Sequence, residues 1–508
     1  EQLNHGIPLL SDASSREQLA HLNAIAARKA TSAAAYQPAY AYVQNGLALL
    51  DADAWRTRYS LALDLHIQAA EIAYLCGDEA AMTRYADEVL ARAQRLTDRL
   101  KLYEILIRAN RAMESSEIAF DVLRQLGVTF PAQPTAADLE QALAQVQELL
   151  AGRSISDLRD LPRMTDSQTL AIFHLMSSAS IAVYAAKPQF FPLYVLKQVE
   201  WSIRYGNAPQ SPYAYALYGM LLCGWLDNIT EGYQWGQLGL HLLDTLEANE
   251  VRARTLFMAQ AFINHWSEPV RETLSLARLA YQSGFETGDL DSLNFATVSY
   301  TAYALFSGRE LPVLEQEIVV FTEAVTPMQQ EATLYRLKIY RQTVLNLMGK
   351  TSLPHMLSCE VYDLQRSVPL HLARHDGTSA YAAYLAQALL FYLFEQPAQA
   401  LSYIELAEGV VDLVVGQFVV TQFYFYDSLI RLALYADMPE QEHEALWAKV
   451  NANQQRLANW AAYAPENVQH HWLLVEAELA RVRGRYGDAR ELYDQSIALA
   501  QQHGYLHD

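Results

Sequence analysis

Apolar residues recur at three- and four-residue spacing from Ser15 to about Leu126 and again beyond Thr165-Asp166, while the alternation expected of a half-buried strand is scarce. This predicts helices of ordinary length joined by short turns. The turns are expected at Tyr36-Gln37-Pro38, Asp51-Ala52-Asp53, Cys76-Gly77-Asp78, Lys187-Pro188, residues 206–209, Asp227-Asn228, Ser283-Gly284, Gly308, Gly349 and Asp376-Gly377. Residues 127–135 break the period with Pro131 and Pro134, and Thr135 is placed to cap a helix that starts at Ala136 and ends near Gly152. The expected organisation is therefore helical repeats in 1–126, an irregular linker with one helix in 127–165, and repeats in 166–508 continuous with the first part. The fold class is all-α.

Three distant stretches share one arrangement of small and bulky positions. HWLLVEAELARVRGRYGDARELYDQSIALA places Ala477, Ala480, Ala489, Tyr493 and Ser496 at the packing positions of a tetratricopeptide-like helix-turn-helix unit. LHIQAAEIAYLCGDEAAMTRYADEVLARA does so with Ala70, Ala73, Met82, Ala86 and Val89, and LAQALLFYLFEQPAQALSYIELAEG with Ala388, Phe391, Ala400, Ile404 and Ala407. Antiparallel helices approach closely only where small side chains face each other and bulky ones fill the neighbouring hole. One such unit cannot bury its apolar face alone, so stacking into a solenoid, an α-α superhelix, is expected, with binding through its concave side. In a repeat of this type the first helix lines that side. The offsets select Asp64, Ile67, Glu71 and Tyr74, then Leu385, Leu389 and Tyr392, then His471, Leu474, Glu478 and Arg481 as partner-binding residues. Their mixture of types suits a protein or peptide better than a phosphate.

Composition removes competitors. A length of 508 residues would suggest about three domains, but a solenoid grows linearly without separate cores. At 52% hydrophobic and 19% charged the chain can bury a large interior. A net charge of −20 without a basic run would repel a phosphate backbone, so nucleic acid is not expected as a partner. The longest apolar stretches, such as residues 385–394, fall short of the roughly 20 residues that span a bilayer, and nothing at the N-terminus reads as a signal peptide. Cys76, Cys223 and Cys359 stand far apart, as reduced core thiols of a cytoplasmic protein would.

The blocks YGNAPQSPYAYALYGMLLCG, YQWGQLGLHLL, RARTLFM, IYRQTVLNLMG, FYFYDSLIRLALY and NQQRLANWAAYAPENVQHHWLLVEAELAR, in this order, carry a family resemblance over essentially the whole chain. The chain resembles the helical-repeat region of very large bacterial signalling proteins. Those proteins join a serine/threonine kinase domain, a P-loop ATPase domain, this helical region, and GAF and histidine-kinase output domains. The opening resembles the junction after the ATPase module and the end resembles a repeat that continues, which implies an excised middle portion. No kinase glycine-rich loop or HRD motif occurs, so none of the family's catalytic residues maps onto this sequence.

The remaining motifs weigh against chemistry. Gly349-Lys350-Thr351 ends like a Walker A loop, but the glycine required five residues earlier is Val344 within a helical run; a helix C-terminal glycine is the expected reading. His371 and His375 would share a helix face as zinc ligands do, yet the glutamate of an HExxH site is missing and Arg374 adds positive charge. His470 and His471 are expected to point apart, and Glu476 and Glu478 to lie on a solvated face. No Gly-x-Ser-x-Gly elbow occurs. The 31 tyrosines, dense at 213–218 and 423–426, are expected chiefly between helices, some of them on a recognition surface. The reading is a non-catalytic interaction and signal-transmission module, without catalytic, metal or cofactor residues, whose partners are an intramolecular ATPase, kinase or GAF domain or another protein. The alternatives are a sensor whose superhelix closes round a small-molecule ligand and regulates an attached ATPase, and, third, an α-solenoid enzyme with a central cavity.

Overall fold

In the computed structural model, which describes residues 2–10, 12–33, 35–109, 112–328, 330–505 and 507, the chain is built of helices and turns. Among the described residues there is no strand, only two isolated bridges, Arg163 with Asn207 and Ser358 with Asp363. The helices fall into two compact units, Glu1–Gly152 with Leu161–Ala208, and Arg153–Asp160 with Pro209–Asp508. Thr135 caps the Ala136–Leu150 helix as its position predicts: its Oγ1 accepts from the Asp138 amide at 3.2 Å while the Asp138 carboxylate accepts from the Thr135 amide at 2.8 Å.

Hairpins of consecutive helices are the building blocks. In the first unit, Tyr59–Leu75 turns into Glu79–Arg92 at Gly77, whose φ of 75° favours glycine, and Asp78 caps the second helix. Ala73 packs with Ala81 and Met82, and Ala70 with Ala86 and Val89, the small-against-bulky arrangement expected of this stretch. In the second unit, Pro465–Val482 lies against Tyr486–His503 with Ala477, Ala480 and Ala489 buried, and Ser496 Oγ donates to the His470 carbonyl at 2.7 Å. Ala480 has no exposed surface, so Ala480→Trp is expected to overpack this hairpin and cost about 1–3 kcal/mol in a urea melt. An unchanged midpoint would mean that the hairpin opens freely.

The second unit sorts its helices by how apolar they are. Ser211–Trp225, Leu290–Phe306, Gly377–Leu393 and Val419–Leu434 are buried nearly all round, whereas Ile229–Thr245, Val270–Thr287, Pro397–Glu408 and Tyr486–His503 bury one face each. A helix without a polar face can only be interior, and a one-faced helix can only cover it. The closest approach is between Ser211–Trp225 and Ile229–Thr245. A Cβ on Gly219 would stand 2.7 Å from the Gly232 carbonyl oxygen, and one on Gly239 would stand 2.6 Å from that of Pro212. Here backbone meets backbone.

Within this unit the early helices also pack against the late ones. The Trp266 and Trp460 rings lie 5.2 Å apart, and Trp266 Nε1 donates to the Gly416 carbonyl at 3.2 Å. The Tyr303 hydroxyl donates to the Ala261 carbonyl at 2.6 Å and accepts from the Phe418 amide at 2.8 Å. Gly224 and Gly416 touch through their backbones. The bonds from Trp266 to Gly416 and from Phe418 to Tyr303 join segments of this unit 150 and 115 residues apart, beyond the neighbouring hairpins.

One expectation from hydropathy changes. Ser167–Ala186, in the first unit, is long and apolar enough by composition to cross a membrane, because Ser, His and Gln scattered between apolar residues hide the run from inspection. In the structure it packs against Leu100–Ala109, Ala112–Gln125 and Phe191–Tyr205.

Candidate functional site

The partner-binding residues expected in the first unit lie on Tyr59–Leu75 and are engaged across helices. The Asp64 carboxylate takes both Nη1 contacts of Arg28 at 2.9 Å, and Glu71 accepts from Arg108 at 2.9 Å. Tyr74 donates to the Arg108 carbonyl at 3.2 Å, and Ile67 is buried. These exposed ion pairs contribute little stability, about 0–1 kcal/mol each, and leave the carboxylates near the surface.

In the second unit the expected residues separate into two groups. Leu385, Leu389 and His471 are interior; the His471 ring stacks on Phe425 with centroids 4.0 Å apart. They project into packing because their helices are covered on the inner side as well. Leu474 is half-buried, and Tyr392, Glu478 and Arg481 come together. Arg481 donates to Glu478 through Nε at 3.0 Å and Nη2 at 2.6 Å, and the Tyr493 hydroxyl also donates to Glu478. Tyr392 packs edge-on to Tyr426, its hydroxyl pushed up to about 12 by burial first and then by the Glu478 charge, against the pull of Arg481. Burial followed by the hydrogen bond to Glu478 likewise pushes Tyr493 up to about 12. All these phenols stay protonated at neutral pH. The cluster gathers phenols and an exposed guanidinium round the Glu478 carboxylate.

The most unusual polar grouping was not singled out from the sequence. Asn249–Met258 runs into a π-helical turn, Ala259–Ile263, and then a 3-10 turn, Asn264–Trp266. Gln260, Asn264 and His265 are buried there. Gln260 accepts from Ser299 at 2.7 Å, and Asn264 donates to Glu268 at 3.1 Å. Across from them stands Asn467, fully buried, whose Nδ2 donates to the His265 and Glu268 carbonyls at 2.7 Å each and whose Oδ1 accepts from the Val270 amide and the Tyr505 hydroxyl at 3.0 Å. The His265 ring lies 4.4 Å from Trp266 and 5.6 Å from Tyr303. Burial lowers its pKa to about 3, opposed by the carbonyls of Gln260 and Gly416, which approach the ring without aligning as acceptors. Sealed among aromatic rings, this histidine is neutral. The available signal was Asn264-His265 inside the apolar AQAFINHW segment and Asn467 inside an otherwise helical block.

The other motifs resolve plainly. Gly349 follows the Glu331–Leu347 helix with φ 68°, the left-handed C-terminal turn expected of it. His371 is buried and bonded to the Tyr362 hydroxyl at 3.1 Å, whereas His375 lies beyond the end of the Leu364–Ala373 helix and is exposed, so the two do not share a face. His470 and His471 do not point apart: their ring centroids are 4.1 Å apart, both rings being drawn into the interior, His470 against Tyr505. Glu476 accepts from Gln454 at 2.8 Å and, like Glu478, is half-buried rather than solvated. Cys223 is a core thiol, its pKa raised by burial, but Cys359 is exposed. Tyr213, Tyr215 and Tyr218 are buried between helices. Among the described residues no three His, Cys, Asp or Glu converge as a metal set.

These features define an all-α protein assembled from helical hairpins, and no family model matches its sequence. Among curated proteins the chain is similar to the hybrid signal transduction histidine kinase G of Dictyostelium discoideum, at 21% identity over 349 residues. That match covers 61% of this chain and 10% of the relative's length.

Proposed function

We propose that this chain is a non-catalytic interaction and signal-transmission segment of a multidomain kinase, arranged as tetratricopeptide-like repeats. The likeness to a hybrid signal transduction histidine kinase, confined to a tenth of that protein, is the observation that carries the reading. The cluster of half-buried Tyr392 and Glu478 with exposed Arg481 supports it, because it presents aromatic and charged groups of the kind that anchor protein contacts. The partner is an attached ATPase, kinase or GAF module. The whole protein works in the cytoplasm.

The test compares the complete gene product with its Tyr392→Ala and Arg481→Ala variants in phosphoryl transfer from ATP, alongside ATP-binding calorimetry on this chain alone. Each variant is expected to weaken domain association by about 1–2 kcal/mol and to shift the transfer rate accordingly, with Arg481→Ala leaving the melting temperature nearly unchanged. Micromolar ATP binding by the isolated chain, or transfer rates identical to wild type in both variants, would overturn the reading.

A further inference from the structure

Val270–Thr287 and Leu311–Val325 turn two matched faces toward each other. The first presents Arg278, Tyr281, Gln282, Phe285 and Glu286, and the second Val313, Gln316, Glu317, Val320 and Phe321. Both sets follow the three- and four-residue spacing of one helix side. Leu311–Val325 packs less closely on its inner neighbour Leu290–Phe306 than Val270–Thr287 does on the same helix, and the gap is an open groove of about 730 Å³. Its floor is aromatic: Phe321 meets Tyr281 and Tyr300 edge-on at 5.4 and 5.5 Å. Its lips hold Phe285 and Val320, exposed to 67% and 62%. Two parallel helical walls over an apolar floor have the geometry that receives a third helix.

The charge around the groove fixes the chemistry of that helix. Residues 270–325 hold three arginines, no lysine and eight aspartates and glutamates, a net of −5. The arginines are already engaged: Arg278 and Arg309 both bond Glu317, and Arg271 bonds the Ser307 carbonyl. Glu272, Glu286, Glu310 and Glu323 are exposed, and of these Glu310 lies within the field of Arg309. A second copy of this chain, itself at −20, would be repelled. We infer that this groove docks an amphipathic helix of a protein partner, with apolar anchors at i, i+3 or i+4 and i+7 and lysine or arginine at its flanks. The inference rests on reading the chain as a binding module and places that binding on a face other than the Tyr392 cluster.

The test is selection from a displayed library of helical peptides against the intact chain, followed by fluorescence anisotropy with the enriched peptides. Enriched sequences should combine that apolar spacing with net positive charge. Their affinity should fall at least tenfold for Phe285→Ser with Val320→Ser and severalfold for Glu286→Lys with Glu323→Lys, all exposed positions whose substitution leaves circular dichroism and melting unchanged. Enrichment of acidic or unpatterned peptides, retained affinity in the serine variant, or a self-association in sedimentation that the serine variant abolishes would each overturn it. Should the groove variants behave as wild type while Arg481→Ala still alters phosphoryl transfer, this groove fails and the module reading stands.

Discussion

Asn467→Leu is expected to lower the stability of the Pro209–Asp508 unit by about 4 kcal/mol, because one side chain serves four buried or part-buried groups there. Leucine fills the space but removes one bond each from the His265 and Glu268 carbonyls, the Val270 amide and the Tyr505 hydroxyl. Each buried group left unsatisfied costs about 1–3 kcal/mol, and partial rearrangement keeps the sum near the lower end. The loss should appear as an earlier urea midpoint and as faster hydrogen exchange at the Val270 amide. A loss below about 1 kcal/mol would show that the packing of Trp266 on Trp460 closes the unit without it.

The second large effect is on acid stability. An unfolded histidine titrates near 6.5, whereas burial holds His265 near 3. Its contribution is fully present above about pH 6.5. Below that the unfolded chain takes up a proton that the folded chain refuses, so stability falls at up to about 1.4 kcal/mol per pH unit as the pH drops toward 3. Between pH 6.5 and 4.5 this amounts to about 2–3 kcal/mol. His66 and His371, also lowered by burial, add to the slope, while Asp138, Asp157 and Asp166, lowered by their hydrogen bonds, and Asp98, which burial raises but its bonds to Tyr59 and Arg95 bring down further, act at more acid pH. Urea melts of wild type and His265→Gln across this interval isolate the term. Equal slopes would mean that the native site accepts the proton.

The hairpins were legible because their information is local. Ala70 and Ala73 face Met82 and Ala86 through a turn that Gly77-Asp78 announces, and Thr135 declares its own helix start. Closure of the second unit was not legible. Helices such as Gly377–Leu393 are apolar all round, so no periodicity tells which side meets what, and the repeat offset that points Leu385 and Leu389 to a groove meets a helix buried on nearly every side. Asn264, His265 and Asn467 are buried polar residues that no helical periodicity announces: Asn467 is satisfied by backbone groups and the Tyr505 hydroxyl, whereas the His265 ring nitrogens and Asn264 Oδ1 find no hydrogen-bond partner. The repeat offsets point to Tyr392, Glu478 and Arg481 one by one, but their convergence depends on helices packing across the unit.

The bond between Asn467 and the His265 carbonyl joins positions 202 residues apart, which sets an order of events during synthesis. Each hairpin can form as soon as its second helix emerges, since its contacts are local and fast to close. His265, Trp266 and Tyr303 then wait. At roughly 5–20 residues per second, about 10–40 s pass before Asn467 follows His265 out of the ribosome. Through that interval the growing chain shows an uncapped polar turn set among aromatic rings, the kind of surface that chaperones hold and that truncated products aggregate through.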